Sequence, residues 1–421
     1  MNEKIKETEV GLIPDEWDIA TLNEVCKLIN GRGFKPNEWR AEGIPIIRIQ
    51  NLNGSEDYNY YQGTYDKKIE VEKHQLLFAW SGSRGTSFGP HLWNNIKGLL
   101  NYHTWKIIVY EQKVNKMFFF YSLKKLTRQI EEKAHGASAL VHTQKWEMEK
   151  YPIPLPRTIA EQEAIATVLS DTDAWIESLE AQIEKKKLIK QGTMQELLTG
   201  KRRLPGFGAG KDWKDSEVGQ IPVDWEVKRL GDIISENPKY GINAPAIEHD
   251  DRYFNYLRIT DIDENGRINL KNLSSVAHPF SRNYILKNNE IVFARTGASV
   301  GKSYIHSDKN GTYVYAGFLI KININTNIAN PHLIFLHLHT KNYKDWIETN
   351  SARSGQPGIN GNQIKEFSFP LSNIIDEQEA IAKVLSEMDD EIKALEQKVE
   401  KAKGIKQGLM QVLLTGKIRL V

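Results

Sequence analysis

IAEQEAIATVLSDTDAWIESLEAQIEKKKLIKQGTMQELLTGKRRL, residues Ile159–Leu204, returns as IDEQEAIAKVLSEMDDEIKALEQKVEKAKGIKQGLMQVLLTGKIRL, residues Ile375–Leu420. About two-thirds of the positions are identical without a gap, which marks a duplicated unit. In the second copy apolar or small side chains fall at Ile381, Leu385, Met388, Ile392, Leu395, Val399 and Ala402. The steps alternate four and three, the spacing of a heptad seam. The first copy gives Ile165, Leu169, Thr172, Ile176, Leu179 and Ile183. Each copy predicts one helix of roughly 40 residues, about 60 Å long at 1.5 Å per residue, and two such helices with matching seams can pack on each other. Thr158 and Glu161, just after Pro156, form a capping-box pattern, and Asp376 with Glu379 resembles it. Gly200 and Gly416 follow Leu-Leu-Thr and suit the left-handed residue that ends a helix. Gly192 and Gly408 lie inside the helices, where each costs about 1 kcal/mol relative to Ala. Their recurrence points to close approach of a partner helix or subunit, with a tolerated kink as the alternative.

Outward from these helices the duplication continues. EVGLIPDEWDIATL (Glu9–Leu22) is echoed by EVGQIPVDWEVKRL (Glu217–Leu230), IIRIQNLNG (Ile46–Gly54) by YLRITDIDENG (Tyr256–Gly266), and FAWSGSRG (Phe78–Gly85) by FARTGASVG (Phe293–Gly301). The order is variable block, helix, variable block, helix, and the frame matches while the blocks diverge. Drift after an ancient duplication is the plain account, but two readers of different targets on one scaffold explain why the helices are spared. IPIIRI, WKIIVY, EIVFA and TYVYAGFLIKI have the β-branched and aromatic density of strands. Lys116–Ala134 and His332–Glu348 read as one helix per block. The expected class is α+β: two pseudo-symmetric β-rich domains (1–158 and 223–374) and two long helices (159–200 and 375–421), with 201–222, rich in Gly and Pro, as the connection.

Composition bounds the chemistry. With 421 residues, 40% hydrophobic and 26% charged, the chain has ordinary globular usage and room for two or three domains. No apolar run approaches the roughly 18–20 residues of a membrane span, and Met1–Glu9 carries no apolar signal-peptide core. The single cysteine, Cys26, forms no internal disulfide and argues against a cysteine-built zinc site, so a cytoplasmic location is expected. A net charge of +2 neither establishes nor excludes nucleic acid, because a binding face needs only local positive charge.

Catalytic signatures fall short. RTGASVGKS (Arg295–Ser303) leaves three residues between Gly297 and Gly301, where a phosphate-binding loop needs four. A glycine-rich turn that lets Arg295 and Lys302 reach a phosphate backbone fits better. NPKY (Asn237–Tyr240) has Lys239 where adenine amino-methyltransferases carry a second proline, and no glycine-rich cofactor loop precedes it. The histidines lack metal spacing, and no Ser–His–Asp set can be assigned, so no catalytic residue, metal or cofactor is expected. What remains is polar and basic side chains at matching places in both repeats. Candidates in the first block are Arg32, Lys35, Arg40, Arg48, Arg84, His142, Thr143 and Gln144. In the second they are Lys239, Tyr240, Arg258, Arg282, Arg295, Lys302 and, within SARSGQPGINGNQ (Ser351–Gln363), Arg353, Gln356, Asn360 and Asn362. Arg, Lys, Asn and Gln read guanine and adenine edges, while backbone amides of Gly-rich turns hold phosphates.

The paired ExxxIPxxW starts, EIVFARTGASVGK, the PLP…EQEAIA helix entries and the KQGxMQxLLTGK helix ends together resemble the specificity subunits of type I restriction–modification enzymes, over essentially the whole chain. The resemblance implies two target recognition domains, in inverted orientation about an antiparallel coiled coil, that read the two halves of a split, asymmetric DNA target. It implies adenine methyltransferase subunits bound through the helices, motor–nuclease subunits that join them, and catalytic residues only in those partners. Candidates for the subunit interface are Ile165, Leu169, Ile176, Leu179, Ile183 and Gly192, with Ile381, Leu385, Ile392, Leu395, Val399 and Gly408. The first block departs from the pattern, having SGSRGTSFG where a Gly-Lys is expected. Two other readings stay open: a self-contained DNA enzyme or regulator with a dimerising coiled coil, and an assembly scaffold that does not touch DNA.

Overall fold

The computed structural model describes residues 4–133, 140–208, 212–352 and 356–420. They divide into two compact units, Met1–Ala181 with Gln397–Val421, and Gln182–Glu396. Two helices of 39 residues each, Ile159–Leu197 and Ile375–Leu413, contribute one part to each unit.

In the first unit, one four-stranded sheet runs in the order Gly89–Trp93, Gln75–Ala79, Thr104–Val109, Cys26–Asn30, all neighbours antiparallel. A second runs Asn59–Tyr61, Ile44–Ile47, Gly98–Leu100, Glu70–Val71, with a parallel pair at its centre. The helix Lys116–Lys133 starts where Asn115 Oδ1 accepts from the amides of Met117 and Phe118. Its Phe118, Phe119, Tyr121, Leu123 and Leu126 share a core with Ile165 and Leu169 of the central helix and with Met410, Leu413 and Leu414 from the end of the C-terminal one.

The second unit repeats this plan in its larger sheet, Ser303–Ile305, Ile291–Ala294, Leu319–Ile322, Lys239–Tyr240. It keeps the parallel pair, but its smaller sheet runs Ile247–Glu248, Ser274–Val276, Phe254–Leu257, Tyr313–Tyr315, which puts that pair at the edge. The register makes the correspondence explicit. Ala79 faces Thr104 as Ala294 faces Leu319, and Ile47 faces Leu100 as Leu257 faces Tyr315. One expected element differs: the single helix over His332–Glu348 is two, Pro331–His337 and Lys341–Ser351. The break has a local cause, because Thr340 caps the second helix by accepting from the Tyr343 amide, and its hydroxyl also donates to the His337 carbonyl.

Within each unit the two long helices run antiparallel. In the first unit Lys406 pairs with Asp173, and Lys403 with Glu180 at 2.9 Å. In the second, Lys190 pairs with Asp389 at 2.6 Å and Lys186 with Glu391 at 2.6 Å. Lys190 and Lys406 occupy the same place in the two KQG motifs, and Asp173 and Asp389 match likewise, so the pairing is one device used twice. Seam residues Ile165, Leu169, Thr172, Ile176, Leu179, Ile183, Ile381, Leu385, Ile392 and Val399 are buried, while Leu395 is half-buried.

The EQ dipeptide that opens each helix is a double anchor. Glu161 accepts from the Trp17 indole at 3.2 Å and from Arg419 at 2.6 and 2.9 Å; Glu377 accepts from Trp225 at 3.2 Å and from Arg203 at 2.8 Å. Gln162 accepts from the Asn115 amide and donates to Pro156; Gln378 accepts from the Asn330 amide and donates to Ser372. The residue after each helix therefore docks on the start of the other helix, which only antiparallel neighbours allow. This settles the capping patterns. Thr158 does accept from the Glu161 amide, at 3.3 Å, but the Glu161 carboxylate serves Trp17 and Arg419 instead of returning to Thr158. Asp376 lies inside its helix and is not a cap. Gly200 and Gly416 end the helices at φ 71° and 69°, and a Cβ on either would strike Pro222 or Pro14.

Candidate nucleic-acid interface

The strand-end loops that carry the sequence candidates are built alike in both units. After Gln75–Ala79 the chain reaches Trp80, whose carbonyl accepts from the Thr143 amide at 3.0 Å, and Ser81–Ser83 then pairs with Leu140–His142. After Ile291–Ala294 it reaches Arg295, whose carbonyl accepts from the Ile359 amide at 2.9 Å, and Thr296 bridges Gly358. A short helix follows each bridge: Lys145–Met148 behind Gln144, and Gly361–Ile364 behind Asn360, whose side chain accepts from the Asn362 and Gln363 amides. His142-Thr143-Gln144 and Gly358-Ile359-Asn360 are thus the same three places in two copies. Thr143 is buried, so only His142 and Gln144 face outward, and Gln144 Oε1 accepts from the Trp146 indole.

In the second unit four candidates converge. The Arg295 guanidinium lies 5.0 Å over the Tyr240 ring, and its Nε is buried with no partner among the described residues. The Tyr240 hydroxyl accepts from the Gly361 amide beside Asn360, at 3.0 Å. Gly297 has φ 71°, the conformation that calls for glycine, and the Gln356 amide, the end of a flexible side chain, lies 2.8 Å from where a Cβ would sit. Three further cations are tied elsewhere. Arg258 forms a two-pronged pair with Asp261 at 2.7 and 3.0 Å, Lys302 pairs with Glu264 at 2.9 Å, and Lys239 pairs with Glu236. The exposed Lys239–Glu236 pair contributes little stability, but all three pairs cancel charge that could meet a phosphate. Arg282 is exposed, as is Asn362, and Arg353 lies outside the described residues.

In the first unit Arg32 is held between the rings of Phe34 and Tyr61, at 4.8 and 4.7 Å, and pairs with Glu38. Arg48, which matches Arg258 by register, has neutral company: Asn59 Oδ1 at 2.6 Å and the Trp39 ring at 4.9 Å. Lys35, Arg40 and Arg84 are exposed. The turn Asn101–Thr104 was not among the sequence candidates. The Tyr102 and His103 rings lie 3.7 Å apart between centroids at a tilt of 38°, and Trp80 leans on His103 at 5.3 Å. Desolvation holds the His103 imidazole below its ordinary value, so it stays neutral. The FAWSGSRG and FARTGASVG frames set Trp80 opposite Arg295, but they do not reach the Asn101–Thr104 turn, which only the strand pairing brings beside Trp80.

The helix residues expected at a subunit interface are mostly spent inside the chain, in the seam and the two cores. Among the described residues nothing beyond their own helical turns lies within 4 Å of a Cβ built on Gly192 or Gly408, so no other described helix touches them. Each unit keeps outward apolar residues on its helices: Trp175 and Ile405 in the first, Leu188 and Ile189 in the second. Among the described residues no three His, Cys, Asp or Glu side chains gather to hold a metal ion, and no helix is long and apolar enough to cross a membrane.

A family described as the type I restriction modification DNA specificity domain matches twice, over residues 14–188 and 222–403. The chain belongs to that family. Each match takes in one β-rich block and most of the helix behind it. The type I restriction enzyme MjaVIII specificity subunit of Methanocaldococcus jannaschii is 26% identical over 99% of this chain and 96% of that protein. The EcoBI specificity subunit of Escherichia coli is 26% identical over 88% of this chain and 79% of its own length. Among solved structures, the S subunit of a type I restriction–modification system from M. genitalium superposes with a TM-score of 0.58 at 17% identity, covering 98% of this chain and 99% of that one. A chain from a structural study of complex assembly in the type I system gives 0.55 at 14% identity, covering 96% and 99%. At these identities the superpositions speak for the fold, and it is the fold of specificity subunits.

Proposed function

We propose that the chain is the DNA specificity subunit of a cytoplasmic type I restriction–modification complex. It reads a bipartite asymmetric target, one half with each unit, and performs no chemistry itself. The observation that carries this is the register-matched pair of units whose strand-end loops present different side chains at equivalent places, Trp80 against Arg295 and His142-Thr143-Gln144 against Gly358-Ile359-Asn360. One frame with two sets of polar side chains is what separate readout of two base sequences requires, because base edges are distinguished by the donors and acceptors set against them. In the second unit the reading groups are Arg295, Tyr240, Gln356 and Asn360, with Lys239, Arg258, Lys302, Arg353 and Asn362 as flanking contacts. In the first they are Arg32, Lys35, Arg48, Arg84, His142 and Gln144, with Thr143 buried between the last two.

Adenine methyltransferase subunits dock on the helices, and motor–nuclease subunits join them. Since the seam is used within the chain, the docking face is the outward one, with Trp175, Leu188, Ile189, Ile405 and the uncovered Gly192 and Gly408. The test is a salt titration of binding to random duplex DNA, followed by methylation with and without the methyltransferase subunit. Salt-dependent binding by the chain, and methyl transfer only with the partner, are the expected results. Methyl transfer by the chain alone, or no DNA binding at any salt, overturns the proposal.

A further inference from the structure

A cavity of about 200 Å³ in the first unit is lined by Arg48, Ile49, Gln50, Asn101, His103 and Thr104. Two polar atoms of its lining, Asn101 Oδ1 and His103 Nδ1, are buried without a hydrogen-bond partner among the described residues. Buried polar atoms normally find partners, and leaving one unpaired costs more than an ordinary hydrogen bond returns. Two at one small cavity form a site awaiting a ligand with complementary groups. The cavity is also charged: Arg48 meets the Asn59 amide oxygen and the Trp39 ring and, among the described residues, forms no ion pair with a carboxylate of the kind Asp261 gives Arg258.

The second unit supplies the control. At the places matching Asn101 and His103 it has Ala316 and Phe318, which offer no side-chain hydrogen bond. Gly31 and Gly241 lie against the carbonyls of Asn101 and Ala316 in the same way, so the backbone frame is unchanged while the chemistry of the turn is not. The turn lies at the surface, with Tyr102 exposed and its ring against His103 at a tilt of 38°.

We propose that Asn101 and His103, with Arg48, are specificity determinants that read the major-groove edge of one purine in the half-site of the first unit. This rests on the assignment of the chain as a DNA specificity subunit. A purine shows two adjacent groups there, the N7 acceptor and the 6-substituent, whereas a pyrimidine shows one polar group. A side-chain amide and a neutral imidazole each carry both a donor and an acceptor and so match a two-point edge. The arginine adds the donor that favours N7.

The experiment compares wild type, Asn101→Ala and Asn101→Asp, each assembled with the methyltransferase subunit of its own system. Methylated motifs are mapped genome-wide, and binding to duplexes altered at single positions is measured. Asn101→Ala should lose about 5- to 150-fold of discrimination at one position of one half-site, leaving the other half-site read as before. Asn101→Asp, which only accepts, should shift that position towards a base with an exocyclic amino group and away from guanine. The unchanged half-site reports that the variant is folded. Unaltered motif and affinity overturn the proposal, as does equal weakening on all sequences with a salt slope reduced by about 1, the mark of a phosphate contact. If wild type itself directs no sequence-specific methylation, the underlying assignment fails and the pocket's role with it.

Discussion

Arg203 follows the central helix and closes on Glu377, the second acid of the other helix, and its replacement by methionine should be among the most destabilising changes in the second unit. Glu377 is 0% exposed, and its oxygens are held by Arg203, the Trp225 indole at 3.2 Å and the Ser372 hydroxyl at 2.5 Å. Arg203 also forks onto Asp224 at 3.0 and 3.2 Å. Arg203→Met removes the only cation that, among the described residues, meets this fully buried carboxylate, which costs about 3–5 kcal/mol. The second unit spans 215 residues (396 − 182 + 1). At this size each kcal/mol lowers Tm by about 2–4 °C, so the expected fall is about 6–20 °C. Glu377→Gln in the Arg203→Met background removes the stranded charge, and the double variant should melt above Arg203→Met alone. Thermal unfolding followed by circular dichroism reads both. Refutation would be Arg203→Met melting within 2 °C of wild type (~1 kcal/mol or less), or a double variant no more stable than the sum of the singles, since either result shows that the buried charge is not what the arginine neutralises.

Arg419 does the same for Glu161 in the first unit, so Arg419→Met should destabilise that unit while hydrogen exchange in Gln182–Glu396 stays unchanged; loss of protection in both would contradict independent locks. Arg295→Ala should weaken binding through the second unit alone: a lost base contact costs about 1–3 kcal/mol at one position, a lost phosphate contact lowers the salt slope by about 1, and no change in either places Arg295 on idle surface. His337 is buried against Phe369, and burial holds its imidazole down at about 3. The unfolded chain therefore takes up a proton that the folded one refuses. This contribution to stability is full above about pH 6.5 and falls by about 1.4 kcal/mol per unit as pH drops towards 3. Urea unfolding of His337→Leu from pH 7 to 4.5 should show a shallower acid limb than wild type, and an identical limb refutes the assignment.

The duplication made most of the architecture legible. A gapless repeat of a heptad-spaced segment requires two helices of one length, and the paired ExxxIPxxW and EQEAIA motifs proved to be two ends of one contact, Trp17 with Glu161 and Trp225 with Glu377. What the sequence concealed was set by tertiary partners. The apolar run His332–Glu348 has a helical period throughout, and only the Thr340 hydroxyl, used as a cap, breaks it. The Arg258 charge looked available until Asp261, three residues on, was seen to claim it. Asn101 and His103 were invisible because their place depends on the parallel pairing of Gly98–Leu100 with Ile44–Ile47, a contact far apart in the chain. Side-chain candidates chosen by residue type alone therefore mix free and neutralised cations.

The central claim is that each unit reads one half of a split target. The most direct test is single-molecule methylome sequencing of cells that carry this chain with its methyltransferase subunit, before and after residues 223–374 are exchanged for the corresponding block of a relative. The account predicts a bipartite methylated motif in which only one half changes and the first half and the gap stay as they were. A continuous motif, or an exchange that alters both halves together, would contradict it.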